Sequence, residues 1–197
     1  MSLRGLAPAT QLKRLLQSPF TLHGGLLDRI AREAAHARAG KPARILARMY
    51  ALNEPQVVRA LYAASQAGVA IDLVVRGACT LRPGIHGVSD NIRVRSVVGR
   101  FLEHGRAYWF ANDGDPELFC ASADWLERNL LRRVEVCFPV LDPALAARVK
   151  AEALDNYLAD NCNAWLLQPD GGYRRVSPGH GDTPHSAQAT LLDAICG

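Results

Sequence analysis

Residues 43–75 constrain the fold more than any other stretch of this chain. Residues 43–49 read as a strand. Asn53-Glu54-Pro55 then opens a helix whose Val57, Val58, Leu61 and Tyr62 share one stripe, and Gly68 ends it ahead of a second apolar run, residues 69–75. A strand, a helix and a strand in that order form a crossover that joins parallel strands, and ligands of a parallel sheet gather beyond the carboxyl ends of those strands. Arg76 and Gly77 stand at such an end.

The rest of the chain supplies compatible elements. Leu22, Leu26, Leu27, Ile30 and Ala34 recur at helical spacing opposite Asp28, Arg29, Arg32, Glu33 and Arg38, and Gly40 and Pro42 stop that helix. A strand and turn fit residues 12–20, which Pro19 breaks. Further strands are expected over residues 92–98, 106–110, 118–121 and 134–140, with a helix from Pro143 to about residue 159. An edge strand at 165–168, a hairpin or loop over 169–184 and a short helix around 186–195 complete the chain. Residues 1–11 read as a loose lead-in and residues 12–197 as one α/β domain.

Composition narrows the class. The 197 residues are 49% hydrophobic and 21% charged, close to the globular average, so a disordered tail or fibrous repeat is a poor description. No run approaches the ~18 to 20 apolar residues of a spanning helix, and no secretory leader is evident, so a cytoplasmic address is expected. Cys79, Cys120, Cys137, Cys162 and Cys196 are odd in number, with no C-x-x-C pair, and are read as free thiols. The six histidines lack H-E-x-x-H spacing, so a metal would arrive with a substrate.

The charge is +4, and its distribution says more than its size. Arg76, Arg82, Arg93, Arg95, Arg100 and Arg106 meet only Asp90 and Glu103 between residues 76 and 106. The rest of the strand around Arg93 and Arg95 is apolar (Ile92, Val94, Val97, Val98), which would make the arginine side its only polar face; the arginines line either one pocket or a wet surface. His104 and Arg106 repeat that spacing. An imidazole can donate a proton or act as nucleophile near neutral pH, and a guanidinium can fork onto phosphoryl oxygens. Residues 121–135 add Ser122, Asp124, Asn129 and three arginines, a set suited to hydrogen-bonding phosphate. Glu135, between Val134 and Val136, needs a partner such as Arg or His, either as a plain internal ion pair or as the group that orients His104.

Several segments together resemble the C-terminal region of polyphosphate kinase: Ala43-Arg44-Ile45-Leu46, Asp72-Leu73-Val74-Val75-Arg76-Gly77, Leu81-Arg82-Pro83-Gly84, the run from Asn91 through Phe101-Leu102-Glu103-His104, and Ser122-Ala123-Asp124-Trp125. The resemblance runs from about Leu12 to the end. It implies a phospholipase D-like fold, a mixed β-sheet flanked by helices on both faces. It also implies an enzyme that moves the terminal phosphate of ATP reversibly onto inorganic polyphosphate, with Mg²⁺, through a phosphohistidine. By the family pattern Arg76 contacts the nucleotide phosphates, His104 is the second active-site histidine and Glu135 its orienting acid. Arg93, Arg95, Arg106 and Ser122 are then further candidates for holding ATP or polyphosphate. His104-x-Arg106 stands where a phospholipase D enzyme has H-x-K, and the arginine favours holding a phosphate chain over hydrolysing a phosphodiester.

The phosphorylated histidine, the metal-linked arginines and the adenine-binding part belong to family regions preceding Leu12. The chain is therefore expected to be the last domain of a larger kinase and inactive alone. Its expected partners are ATP or ADP, polyphosphate, the N-terminal domains of the same enzyme and further copies of the full-length protein. A peripheral position at the inner membrane is left open. Two other readings remain: a phospholipase D-type phosphodiesterase or nuclease, and a non-catalytic polyanion-binding module. Few aromatics interleave with the arginines, which argues against nucleic acid as the partner.

Overall fold

The computed structural model describes Leu12 and residues 14–196, so the lead-in expected over residues 1–11 lies outside the described residues. Among them one mixed sheet contains β1 (Leu16–Ser18), β2 (Arg44–Met49), β3 (Ala70–Val75), β4 (Ile92–Val97), β5 (Ala107–Phe110), β6 (Glu117–Ala121), β7 (Glu135–Pro139), β8 (Ala164–Leu167) and β9 (Tyr173–Arg175). The spatial order is β1-β7-β6-β5-β2-β3-β4-β8-β9. β2, β3 and β4 run parallel, and the other pairings are antiparallel. The crossover read from residues 43–75 is present: α2 (Pro55–Gln66) links β2 to β3, with Ile45 opposite Ile71.

Alternation along the strands divides the side chains between two faces. Ile45, Ala47 and Met49 of β2 and Ile71, Leu73 and Val75 of β3 join the main core, against Leu22, Leu26 and Ile30 of α1 (Leu22–Arg38) and Val57 and Leu61 of α2. Burying each such side chain favours folding by about 1.5–3 kcal/mol. The opposite face is covered by α4 (Pro143–Lys150), a π-helical turn (Ala151–Asp155), α5 (Asn156–Ala159) and α6 (Ala187–Cys196). Leu154 packs there with Leu46, Ala107 and Leu118, and Tyr157 with Val74, Val97, Ala164 and Ala187. Helices thus lie on both faces of the sheet, as the family resemblance implies.

Local chemistry sets the element ends. Glu54 caps α2 by accepting the Val57 N–H at 2.7 Å, with Pro55 in the first turn, and Asp142 caps α4 through the Leu145 N–H at 2.8 Å. Gly68, at φ +100°, takes the left-handed conformation that closes α2.

Three local expectations change. The strand at residues 164–167 is interior, because Tyr173–Arg175 returns from the stretch expected as loop or hairpin and forms the edge as β9. A short helix, α3 (Glu127–Leu131), interrupts residues 121–135. β5 begins at Ala107, so Arg106 precedes the strand expected to contain it.

Candidate functional site

The carboxyl ends of β2, β3 and β4 form one end of the parallel sheet, and Arg76 stands one residue past β3. Its N–H donates to the Met49 carbonyl at 3.3 Å and its own carbonyl accepts from Ser96 Oγ at 2.9 Å, so the backbone is held from both sides. The half-buried side chain lies between two hollows. One is a narrow crevice shared with Arg48, Glu103, Gly105 and Tyr157; the other is a cavity of about 220 Å³ beside Val98, Trp165 and Tyr173. Arg76 Nε is buried without a hydrogen-bond partner, and no acid pairs with the guanidinium among the described residues.

Gly77 lets Tyr50 approach this strand end. The Gly77 N–H donates to the Tyr50 carbonyl at 2.7 Å, and a Cβ at position 77 would lie 2.9 Å from Tyr50 Cε1. On the Tyr50 ring stacks His104, with centroids 6.3 Å apart and planes 15° from parallel. Tyr50 thus bridges Arg76–Gly77 and His104, which is exposed on the β4–β5 connection. Beyond Tyr50 a wider cavity of about 550 Å³ is lined by Asn53, Leu126, Arg128 and Arg132.

His104 and Arg106 do not form the same-face strand pair that their spacing predicts, because neither belongs to a strand. Arg106 turns to Asp124 instead, with Nε 2.9 Å from Oδ1 and Nη2 3.0 Å from Oδ2, while Nη1 donates to the His104 carbonyl at 2.8 Å. The hydrogen bond that Arg106 donates to Asp124, opposed by burial, pushes the Arg106 pKa up. Asp124 is 5% exposed and also accepts the Tyr50 N–H at 2.7 Å. It therefore ties the backbone of Tyr50 to the arginine that holds the His104 carbonyl. The sequence reading gave Asp124 no role of its own, although an acid between Ala123 and Trp125, both fully buried, was the available signal. Tyr50 was also missed, although it follows β2 as Arg76 follows β3.

Glu135 does not contact His104 through its hydrogen bonds. Its carboxylate accepts from the Ser122 hydroxyl and, at 2.5 Å, from Asn129 Nδ2. Ser122 Oγ in turn accepts the Val136 N–H at 3.1 Å. Both the Arg or His partner and the orienting contact expected for Glu135 are thus replaced by a short network joining β6, α3 and β7. The difference is geometric: Glu135 and Asn129 are brought together by a helix the sequence reading did not contain.

Arg93 shares a sheet face with Arg76 but not its end, and Arg95, opposite Val74, lies two residues before Arg76, or about 7 Å along the strand. Arg93 lies opposite Asp72, four residues before Arg76, or about 13 Å along the strand. Arg93 Nε pairs with Asp72 Oδ1 at 3.0 Å, and Arg95 donates to the carbonyls of Leu158 and Asp160. Of the expected cluster, the structure brings Arg76 and His104 to one end, places Arg106 behind them, leaves Arg93 apart, and engages Arg95 with main-chain carbonyls.

With this geometry in hand, comparison with known proteins is decisive. The family model for polyphosphate kinase C-terminal domain 2 matches residues 15–188. The chain belongs to that family. It is 68% identical over 195 residues to a polyphosphate kinase of Xylella fastidiosa, covering 99% of this chain and 28% of the relative. It is 57% identical over 191 residues to a polyphosphate kinase of Pseudomonas aeruginosa, covering 97% and 28%. The chain thus spans about 28% of the length of these curated relatives. A crystal structure of polyphosphate kinase from Porphyromonas gingivalis superposes with a TM-score of 0.89 at 36% identity, over 95% of this chain and 28% of that one. Nuc, a phospholipase D family member from Salmonella typhimurium, aligns over 82% of this chain and 97% of its own with a TM-score of 0.52 at 16% identity, which shows a shared fold.

Proposed function

We propose that this domain supplies a phosphate-gripping part of a polyphosphate kinase active site, with Arg76 and His104 as the groups that meet phosphoryl oxygens. The reaction would be the reversible transfer of the terminal phosphate of ATP onto polyphosphate, with the phosphorylated histidine and the adenine site supplied by other regions of a longer chain. The observation that carries the reading is the contrast at this strand end. Arg48 and Arg106 are each paired with an acid, whereas Arg76 has no acidic partner among the described residues and opens on a cavity. A guanidinium prepared in this way favours an anionic ligand, and it can present two parallel donors to one phosphoryl group. His104, exposed and backed by Tyr50, can donate a proton or a hydrogen bond to an adjacent oxygen.

Mg²⁺ fits the nucleotide better than this domain. The carboxylates at this end are engaged: Glu103 with Arg48 and Tyr157, Asp124 with Arg106, and Glu135 with Ser122 and Asn129. No cluster of three His, Cys, Asp or Glu side chains suited to a metal occurs among the described residues. The described helices include none long and apolar enough to cross a membrane.

Calorimetric titration of the chain with tripolyphosphate at rising salt tests the proposal. Binding should weaken as salt rises, because partly exposed charges are screened, and Arg76→Ala should remove most of it. Binding that ignores salt, or that survives Arg76→Ala unchanged, would contradict the assignment.

A further inference from the structure

The loop that carries His104 is fastened at the residues on either side of it. Glu103 Oε1 lies 3.2 Å from Arg48 Nη2 and accepts a hydrogen bond from the Tyr157 hydroxyl. The Arg48 guanidinium carbon sits 3.6 Å from the centroid of the Tyr157 ring. Each of the three side chains touches the other two, and they come from β2, the β4–β5 connection and α5. On the far side of His104, a Cβ at Gly105 would lie 3.3 Å from Arg48 Nη1, so the backbone passes directly over the same guanidinium.

This triangle is largely shielded from water. Arg48 is 9% exposed and Tyr157 is 1% exposed, so the ion pair is weakly screened and the cation–aromatic contact is partly desolvated. Burial and the Glu103 carboxylate push the Tyr157 phenol up, which keeps its hydroxyl a donor. The π-helical turn Ala151–Asp155 leads directly into the helix that carries Tyr157, and a turn of this kind shifts the register of the helical residues after it. Neither the ion pair nor the aromatic contact is used in binding Arg76 or in the Asp124–Arg106 tie.

We infer that Arg48, Glu103 and Tyr157 are positioning residues for His104: they pin Glu103 and Gly105 to the sheet, so that the imidazole is held on Tyr50 beside the Arg76 strand end before a ligand arrives. The benefit to ligand binding rests on the phosphate-binding role proposed above, whereas the geometry of the imidazole does not. Holding a group in its working position through packed neighbours is what makes such a site effective when the ligand comes.

Proton NMR of the histidine rings in this chain separates the two claims. Wild type, Glu103→Gln and Tyr157→Phe are compared, first without ligand and then during titration with tripolyphosphate. Without ligand, both variants should move the His104 ring signals away from their stacked position and toward those of the exposed His86. His23 and His36, on α1 against the other face of the sheet, should keep theirs. Affinity for tripolyphosphate should fall roughly 2- to 30-fold, the range in which residues without ligand contact modulate a site. Tyr157→Phe keeps the ring under Arg48 and removes only the hydroxyl, so it decides the matter if Glu103→Gln fails to fold. Unchanged His104 signals in Tyr157→Phe would overturn the inference. A wild-type chain that ignores tripolyphosphate would overturn the functional reading instead, and the ligand-free signals would still decide the positioning.

Discussion

Arg76, one residue past β3, and Arg93, on the adjacent parallel β4, belong to one face of the same sheet, yet their surroundings differ completely. At the Arg93 end, Asp72 is paired with both Arg93 and Arg44, and Arg95, between the two ends, is absorbed by the carbonyls of Leu158 and Asp160. At the Arg76 end, the available acids are committed to Arg48 and Arg106, and Arg76 is left over. A count of arginines, or even their assignment to a face, therefore does not locate a phosphate site. The distribution of their acidic and carbonyl partners does.

The largest expected effect breaks the support of the Arg76 end. Asp124→Ala leaves the Arg106 guanidinium and the Tyr50 N–H without their acceptor, and should cost about 3–5 kcal/mol in urea unfolding, the range for removing one member of a buried pair. Next, Arg95→Ala, within β4, should cost about 1–3 kcal/mol by removing the donor to two carbonyls, while leaving tripolyphosphate affinity unchanged. Arg76→Ala should do the reverse. Stability should stay within about 0.5 kcal/mol of wild type, and affinity should fall about tenfold through loss of charge-assisted hydrogen bonds. Arg93→Ala is the matched control: its guanidinium is exposed and Asp72 keeps its pair with Arg44, so the loss should be less than ~1 kcal/mol in stability, and calorimetry should find the affinity unaltered.

A comparably small effect concerns Glu54, at the head of α2. Burial by itself would raise its carboxyl, but the N–H groups of Val57 and Gln56 and the His23 imidazole outweigh that and hold it below the usual carboxylate value. A carboxyl depressed in the folded state stabilises the fold above its unfolded pKa, and that contribution is lost as pH falls through the carboxylate range. Glu54→Gln should therefore cost ~1 kcal/mol near neutrality and flatten the acid side of the stability profile in urea melts.

How much of this was legible depends on the range over which each feature is determined. Period and punctuation are local, so the stripe Leu22, Leu26, Ile30, Ala34 and the β2–α2–β3 crossover could be read directly, as could Arg76 at a strand end. The alternation puts Arg93 and Arg95 on one face, but that face is not purely polar, since Val97 is buried on it with Val74 and Tyr157, and nothing local says that Asp72 waits opposite Arg93. Glu135 shows the same limit, since Ser122 and Asn129 reach it only once β6, α3 and β7 assemble. His104 was legible from its spacing to Arg106 and its family context, whereas its support on Tyr50 and the Arg48–Glu103–Tyr157 triangle requires residues up to 109 positions apart to meet.

The central claim, that the phosphate chain lies at the Arg76–His104 end, is tested most directly by mapping backbone amide shifts of the chain as tripolyphosphate is added. The largest displacements should fall on Tyr50, Arg76, Gly77 and the residues around His104, with Arg93 unmoved. Displacements centred on Arg93 and Arg95, or scattered evenly over exposed arginines, would contradict it.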